Sequence, residues 1–60
     1  MKRKDILKKL REAGFTFREG REHTKIYDAS GAYCGPIGTH TEIAEIIVRQ
    51  IEKQTGVKLR

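Results

Sequence analysis

His23 and His40 are the only histidines in the chain, and they stand in GREHTKIYD, residues 20–28, and GTHTE, residues 38–42. Imidazole has an unperturbed pKa of about 6.5, so it can accept or donate a proton near neutrality. RNA is a substrate that asks for little more. Its own 2′-hydroxyl serves as the nucleophile, leaving the protein to supply a proton acceptor, a proton donor and positive charge near the phosphate. Lys25 follows His23 by two residues, and Arg21 precedes it by two. Lysine and arginine supply charge through Coulomb attraction and donated hydrogen bonds. A surface histidine without a role fits the same residues.

Other chemistries find less support. Cys34 is the only cysteine, which excludes an intrachain disulfide and a cysteine-rich zinc site. Two histidines with scattered carboxylates are a poor metal set, and by strand alternation Asp28 falls on the opposite side from His23. Ser30 lies in a turn without a nucleophile-elbow context, and no glycine-rich phosphate signature occurs. No metal and no cofactor are expected.

These residues need elements to position them. Ile6, Leu7, Leu10 and Ala13 recur at helical spacing, with lysines and arginines opposite, and Gly14 supplies a stop. The pattern predicts a first helix over roughly residues 3–13. FTFR, residues 15–18, reads as a strand with both phenylalanine rings on one face. After a turn at Gly20, residues 23–28 alternate again. Thr24, Ile26 and Asp28 share the face anchored by Ile26 in the core, while His23, Lys25 and Tyr27 share the other. ASGA breaks the pattern, and YCGPI makes a third strand that Pro36 confines to short length or to an edge.

From Thr39 the period changes. Thr39 with Glu42 matches a capping box, and Ile43, Ala44, Ile47, Val48 and Ile51 form an apolar stripe ending before Gly56. This places His40 at the start of the second helix, where free backbone N–H groups attract anions; a first-turn residue merely tolerated beside a Thr39 cap fits equally. The expected fold is α+β, in the order α-β-β-β-α. A three-stranded antiparallel sheet carries two helices on one face and leaves its other face to solvent or a partner.

At 60 residues the chain is one domain, residues 1–60, near the lower limit of independent folding. It carries 13 Lys and Arg against 8 Asp and Glu, a formal net charge of +5. Nine of the basic residues and four of the acidic ones lie in residues 1–25, so the first half holds all of the excess. One-sided positive charge attracts polyanions, nucleic acid first and an acidic protein second, although a solubilising surface has the same composition. On the first helix, Lys4, Lys8 and Arg11 fall at near-helical spacing and suit phosphate contacts. The start MKRKDIL is not a secretory leader, and no apolar run approaches the roughly 20 residues of a membrane span. The chain reads as complete and cytoplasmic, with no membrane partner.

KDILKKLREAGF, residues 4–15, REGREHTKIY, residues 18–27, PIGTHTEI, residues 36–43, and VRQIEKQTGV, residues 48–57, together resemble the HicA toxins of HicA–HicB toxin–antitoxin modules. The resemblance covers nearly the whole chain and implies a double-stranded-RNA-binding-domain-like fold. It places His23 on the family's catalytic histidine and Tyr27 on a recurring aromatic. His40 matches the histidine of a proline-arginine-histidine step, with Gly38 and Thr39 where the proline and arginine are expected. Arg21 and Glu22 replace commoner small residues ahead of His23.

The implied activity is that of an mRNA interferase: an endoribonuclease toxin that cleaves mRNA without a required metal and blocks translation. A HicB-like antitoxin would mask the site, so a monomer alone would become a hetero-oligomer with its antitoxin. The expected RNA-binding residues are Arg21, Lys25, Tyr27, His40, Lys4, Lys8 and Arg11, with His23 catalytic. Two other readings stand beside this one: a non-catalytic RNA-binding module, and an attenuated partner that mainly binds antitoxin.

Overall fold

The computed structural model describes all 60 residues. Its elements run α1 (Arg3–Glu12), β1 (Thr16–Glu19), β2 (His23–Tyr27), β3 (Tyr33–Gly38) and α2 (Glu45–Thr55). The sheet order is β1-β2-β3, with both pairings antiparallel and β2 in the centre. This is the α+β arrangement expected, consistent with a double-stranded-RNA-binding-domain-like topology.

Apolar side chains from every layer meet between the helices and the sheet. Ile6 and Leu10 of α1, Ile26 of β2, Ile37 of β3, Val48 and Ile51 of α2, and Ile43 and Leu59 outside the named elements form the buried core. Phe17 of β1 packs against it, as does Phe15, which the expected strand included but which stands just ahead of β1. Removing such side chains from water stabilises a fold by about 1.5–3 kcal/mol each. The first helix stops where the sequence places its stop: Gly14 adopts φ 95° and donates its N–H to the Arg11 carbonyl at 3.0 Å. Gly56 closes α2 in the same left-handed region, φ 74°.

The third strand lies at the sheet edge, as Pro36 requires, yet at six residues it is the longest of the three. Pro36 stands opposite Lys25 on this edge strand, the kind of position at which a sheet tolerates a residue with no N–H to donate.

The start of the second helix departs from expectation. No capping box forms at Thr39 and Glu42, because α2 begins at Glu45, with Ala44 as N-cap and no side-chain cap. The segment before it pairs with the start of the chain. Lys2 and Glu42 form an antiparallel bridge, the Arg3 N–H donates to the Thr41 carbonyl at 2.9 Å, and the Ile43 N–H donates to the Met1 carbonyl at 2.8 Å. The Glu42 carboxylate meets the Met1 ammonium at 2.7 Å instead of reaching back to a helix N-terminus. Ile43 remains buried, but as a strand-like anchor rather than part of a helical stripe.

Three carboxylates titrate below their ordinary range. Asp28 lies just beyond β2 and organises the β2–β3 turn, accepting from the Ser30 hydroxyl at 2.6 Å and from the Ser30 and Ala32 N–H groups, each at 2.9 Å. The Ser30 hydroxyl and then the Ala32 N–H hold its pKa below the ordinary 3.8. Glu52 is held below 4.5, first by the Leu59 N–H, which fastens the C-terminal tail to α2. Glu42 is lowered by the hydrogen bond and charge of the Met1 ammonium.

A carboxylate with a depressed folded pKa contributes stability that is complete above its unfolded value and is lost as pH falls through the folded one. The melting temperature should therefore fall as pH drops below about 4.5. Thermal denaturation followed by circular dichroism between pH 7 and pH 2 checks this. Asp28→Asn should remove part of the acid dependence while lowering stability at neutral pH.

Candidate nucleic-acid interface

With the helices on one side, alternation sends His23, Lys25 and Tyr27 of β2 to the other. His23 and Lys25 are exposed and Tyr27 is half-buried, whereas Thr24 and Ile26 between them are wholly buried. Register adds neighbours that the strand alone does not reveal. Arg18 of β1 stands opposite Lys25, and Tyr33 of β3 stands opposite Tyr27. The two tyrosine rings meet at 5.7 Å between centroids, tilted by 58°. One open face thus carries a histidine, a cross-strand pair of cations and a pair of aromatic rings.

His40 joins this face by a route other than the one expected. It stands five residues before the first residue of α2 and so is not a helix N-terminal residue. Instead its Cδ2 lies 3.7 Å from where a Cβ on Gly38 would sit. Gly38 is the cross-strand partner of His23. The two imidazoles therefore flank one glycine at one corner of the sheet.

Arg21 occupies the turn at that same end, exposed and without an ion pair to Glu22. The turn is tight. The Gly20 N–H donates to the His23 carbonyl at 2.9 Å, and a Cβ on Gly20 would come within 2.7 Å of that oxygen. Gly20→Ala should therefore force the head of β2 to shift. The expected cost is about 1–3 kcal/mol of stability, with amide shifts in NMR spectra concentrated on residues 19–24.

Lys4, Lys8 and Arg11 are exposed on α1, in the layer covering the opposite side of the sheet from His23. The structure therefore divides the expected basic residues into two groups, Arg21 and Lys25 beside His23 and His40, and the α1 stripe apart from them. Arg11 also has a packing role, with its guanidinium 5.6 Å from the Phe17 ring centroid. No three His, Cys, Asp or Glu side chains gather as a metal-binding group.

Beneath His23, Arg3 ties the corner together. Its Nε donates to the Gly38 carbonyl at 2.9 Å, and its NH2 group donates to the Thr24 hydroxyl and reaches Glu19 at 3.5 Å. The Thr24 hydroxyl in turn donates to Glu19 at 3.1 Å. One side chain of α1 thus contacts all three strands at the end where both histidines lie. Sequence reasoning missed Arg3, Arg18 and Tyr33. Their partners are set by strand register and by which residue of α1 faces the sheet end, and neither is visible in a linear pattern.

No protein-family model matches the chain, and no curated protein or solved structure is significantly similar to it. No helix is long and apolar enough to cross a membrane.

Proposed function

We propose that this chain is an endoribonuclease of the HicA-like mRNA interferase type, with His23 as general acid or base on the open face of the sheet. In the reaction, the substrate's 2′-oxygen attacks the adjacent phosphorus and the 5′-oxygen leaves. One proton departs from the 2′-hydroxyl, another arrives at the 5′-oxygen, and a 2′,3′-cyclic phosphate results. His23 carries one of these protons, Lys25 and Arg21 supply positive charge to the phosphate, and Tyr27 offers a surface on which a base stacks. A HicB-like antitoxin covering this face would neutralise the toxin in the cytoplasm and, by binding only the folded state, stabilise a small domain.

The observation that carries this reading is the pairing of Arg18 with Lys25 beside His23. Like charges directly opposite on neighbouring strands destabilise a sheet by roughly 0.2–1 kcal/mol, a cost that an anion between them reverses. Lys25→Glu should therefore raise the stability of the RNA-free protein by about 0.5 kcal/mol while weakening RNA binding. Urea denaturation and a salt titration of RNA affinity measure the two effects. Loss of one phosphate contact should make the log–log salt slope shallower by about 0.7 for single strands.

The decisive experiment incubates purified protein with single-stranded mRNA in EDTA and analyses the product ends. Cyclic phosphate termini generated by the wild type and absent with His23→Ala support the proposal; intact RNA with a folded wild type overturns it. The separate α1 stripe of Lys4, Lys8 and Arg11 favours a second reading, a non-catalytic RNA-binding module. Binding without products, weakened by changes in that stripe but not at Lys25, would establish that alternative.

A further inference from the structure

Tyr27 and Tyr33 are the only tyrosines of the chain, which holds no tryptophan. Their paired rings stand at the β2–β3 turn end of the open sheet face, and Tyr33 is 56% exposed. Tyr33 braces Tyr27 from β3. On the other flank a hollow of about 290 Å³ opens, lined by Thr16 and Arg18 of β1, Tyr27, and Gly31 of the turn. Small-ligand pockets begin at about 300 Å³, so this one suits a single ring system.

The hollow has the width of a flat ring. Thr16 stands opposite Tyr27 and Arg18 opposite Lys25, which makes Arg18 and Tyr27 diagonal neighbours. Such neighbours on antiparallel strands lie about 7–8 Å apart. A ring held between two planar groups needs about 7 Å, twice the carbon contact distance of ~3.5 Å. The Arg18 guanidinium is not engaged elsewhere. The ion pairs use Met1, Arg3, Arg49 and Arg60, and the guanidinium that lies over a ring is that of Arg11 on Phe17.

We infer that this hollow is a stacking subsite that holds one unpaired RNA base between Tyr27 and Arg18, on a nucleotide other than the one being cleaved. Tyr27 lies four residues from His23 along β2, about 13 Å at ~3.3 Å per residue. That is farther than a base reaches from its own phosphate. Lys25, between them on the same face, is placed for the connecting backbone. Bases in a duplex have both faces covered by their neighbours, and an A-form helix presents edges, 2′-hydroxyls and phosphates instead. Every base has a π-face, and a guanidinium adds cation–π attraction, so the subsite selects strandedness rather than sequence. The inference rests on the proposed RNA substrate and defines its class: single-stranded, and longer than a dinucleotide.

The test separates binding from cleavage. With no tryptophan present, the intrinsic fluorescence of the full chain comes from Tyr27 and Tyr33, and a stacked base quenches it. The probes are a 2′-O-methyl RNA decamer, which cannot be cut by attack of its own 2′-oxygen, its abasic counterpart, its duplex, and polyglutamate. The single-stranded decamer should quench saturably and bind about tenfold more tightly than the abasic strand; the duplex and polyglutamate should leave the signal in place. Arg18→Gln, at an exposed position, should weaken the decamer about tenfold with an unchanged melting temperature. Tyr33→Phe, which leaves Tyr27 as the sole tyrosine, should still be quenched. Equal responses to the abasic strand, the duplex or polyglutamate, no quenching at all, or full affinity in Arg18→Gln overturn the subsite. Cleavage of unmodified RNA supplies the independent arm. Dinucleotides cut as efficiently as decamers count against the subsite alone, whereas selective quenching without any cleavage counts against the nuclease alone.

Discussion

His23→Ala is expected to lower the single-turnover rate of RNA cleavage by about 10²–10⁴, the range for removing one proton-transfer group. His23 is exposed at the head of β2, where its side chain supports no part of the core. Truncation should therefore leave the circular-dichroism spectrum and melting temperature nearly unchanged, so lost activity reports chemistry rather than unfolding. His40→Ala provides the comparison. His40 lies beside Gly38 in the segment leading to α2, one step removed from the Arg18–Lys25 cation pair. The expected loss is smaller, with residual activity. Rates for both variants from pH 5 to pH 9 distinguish the roles: a general acid or base removes one limb of the profile when it is deleted, whereas a positioning group lowers the rate at every pH. Full activity of His23→Ala in EDTA would remove His23 from the mechanism. Near-equal losses would mean that the two imidazoles divide the acid and base work.

The placement of His23 was legible because it needs only local information. Alternation along HTKIY with Ile26 as anchor suffices to turn His23, Lys25 and Tyr27 outward, and each is found on the open face. His40 illustrates the opposite case. Thr39 and Glu42 have the spacing of a capping box, but the segment of residues 39–43 gains backbone hydrogen bonds to Met1 and Arg3 and an ion pair to the Met1 ammonium. Those partners lie about forty residues away in the chain, beyond the reach of any local pattern. Tertiary pairing outweighed a capping signal worth on the order of 1 kcal/mol. The association of His40 with His23 across Gly38 likewise follows from the β2–β3 register, not from the spacing of the two histidines.

Arg3→Ala should be the most damaging single change at a position that is not hydrophobic. Arg3 would ordinarily read as one more solubilising charge in MKRKD, yet its side chain is only 21% exposed and its donors serve α1's contact with β1, β2 and β3 together. The contact to Glu19 adds little, because that carboxylate is 72% exposed. The contacts to the Gly38 carbonyl and the Thr24 hydroxyl matter more, since Thr24 is wholly buried. Hydrogen bonds from a charged donor are worth about 1.5–3 kcal/mol, and a buried acceptor left unpaired costs about 1–3 kcal/mol. Arg3→Ala should thus remove about 3 kcal/mol, a large share of the stability of so small a domain, and lower the melting temperature by more than about 10 °C.

Arg3→Lys should recover only part of this, because a single ammonium cannot reproduce the planar fork that reaches Gly38 and Thr24 at once. Thr24→Val tests the same network from its other side. It deletes the hydroxyl that accepts from Arg3 and donates to Glu19 while keeping the shape of the side chain, so its cost should be smaller than that of Arg3→Ala. If the two costs add in the double variant, Arg3 and Thr24 are energetically independent and the network has no cooperative role; a double variant no worse than Arg3→Ala alone establishes their coupling. Because Gly38 and Thr24 are the cross-strand and sequence neighbours of His23, loosening Arg3 should also reduce cleavage in proportion to the fraction of molecules in which this corner opens. Hydrogen exchange at the His23 and Gly38 amides reads that fraction directly, and exchange unchanged from the wild type would show that Arg3 supports the fold without positioning His23.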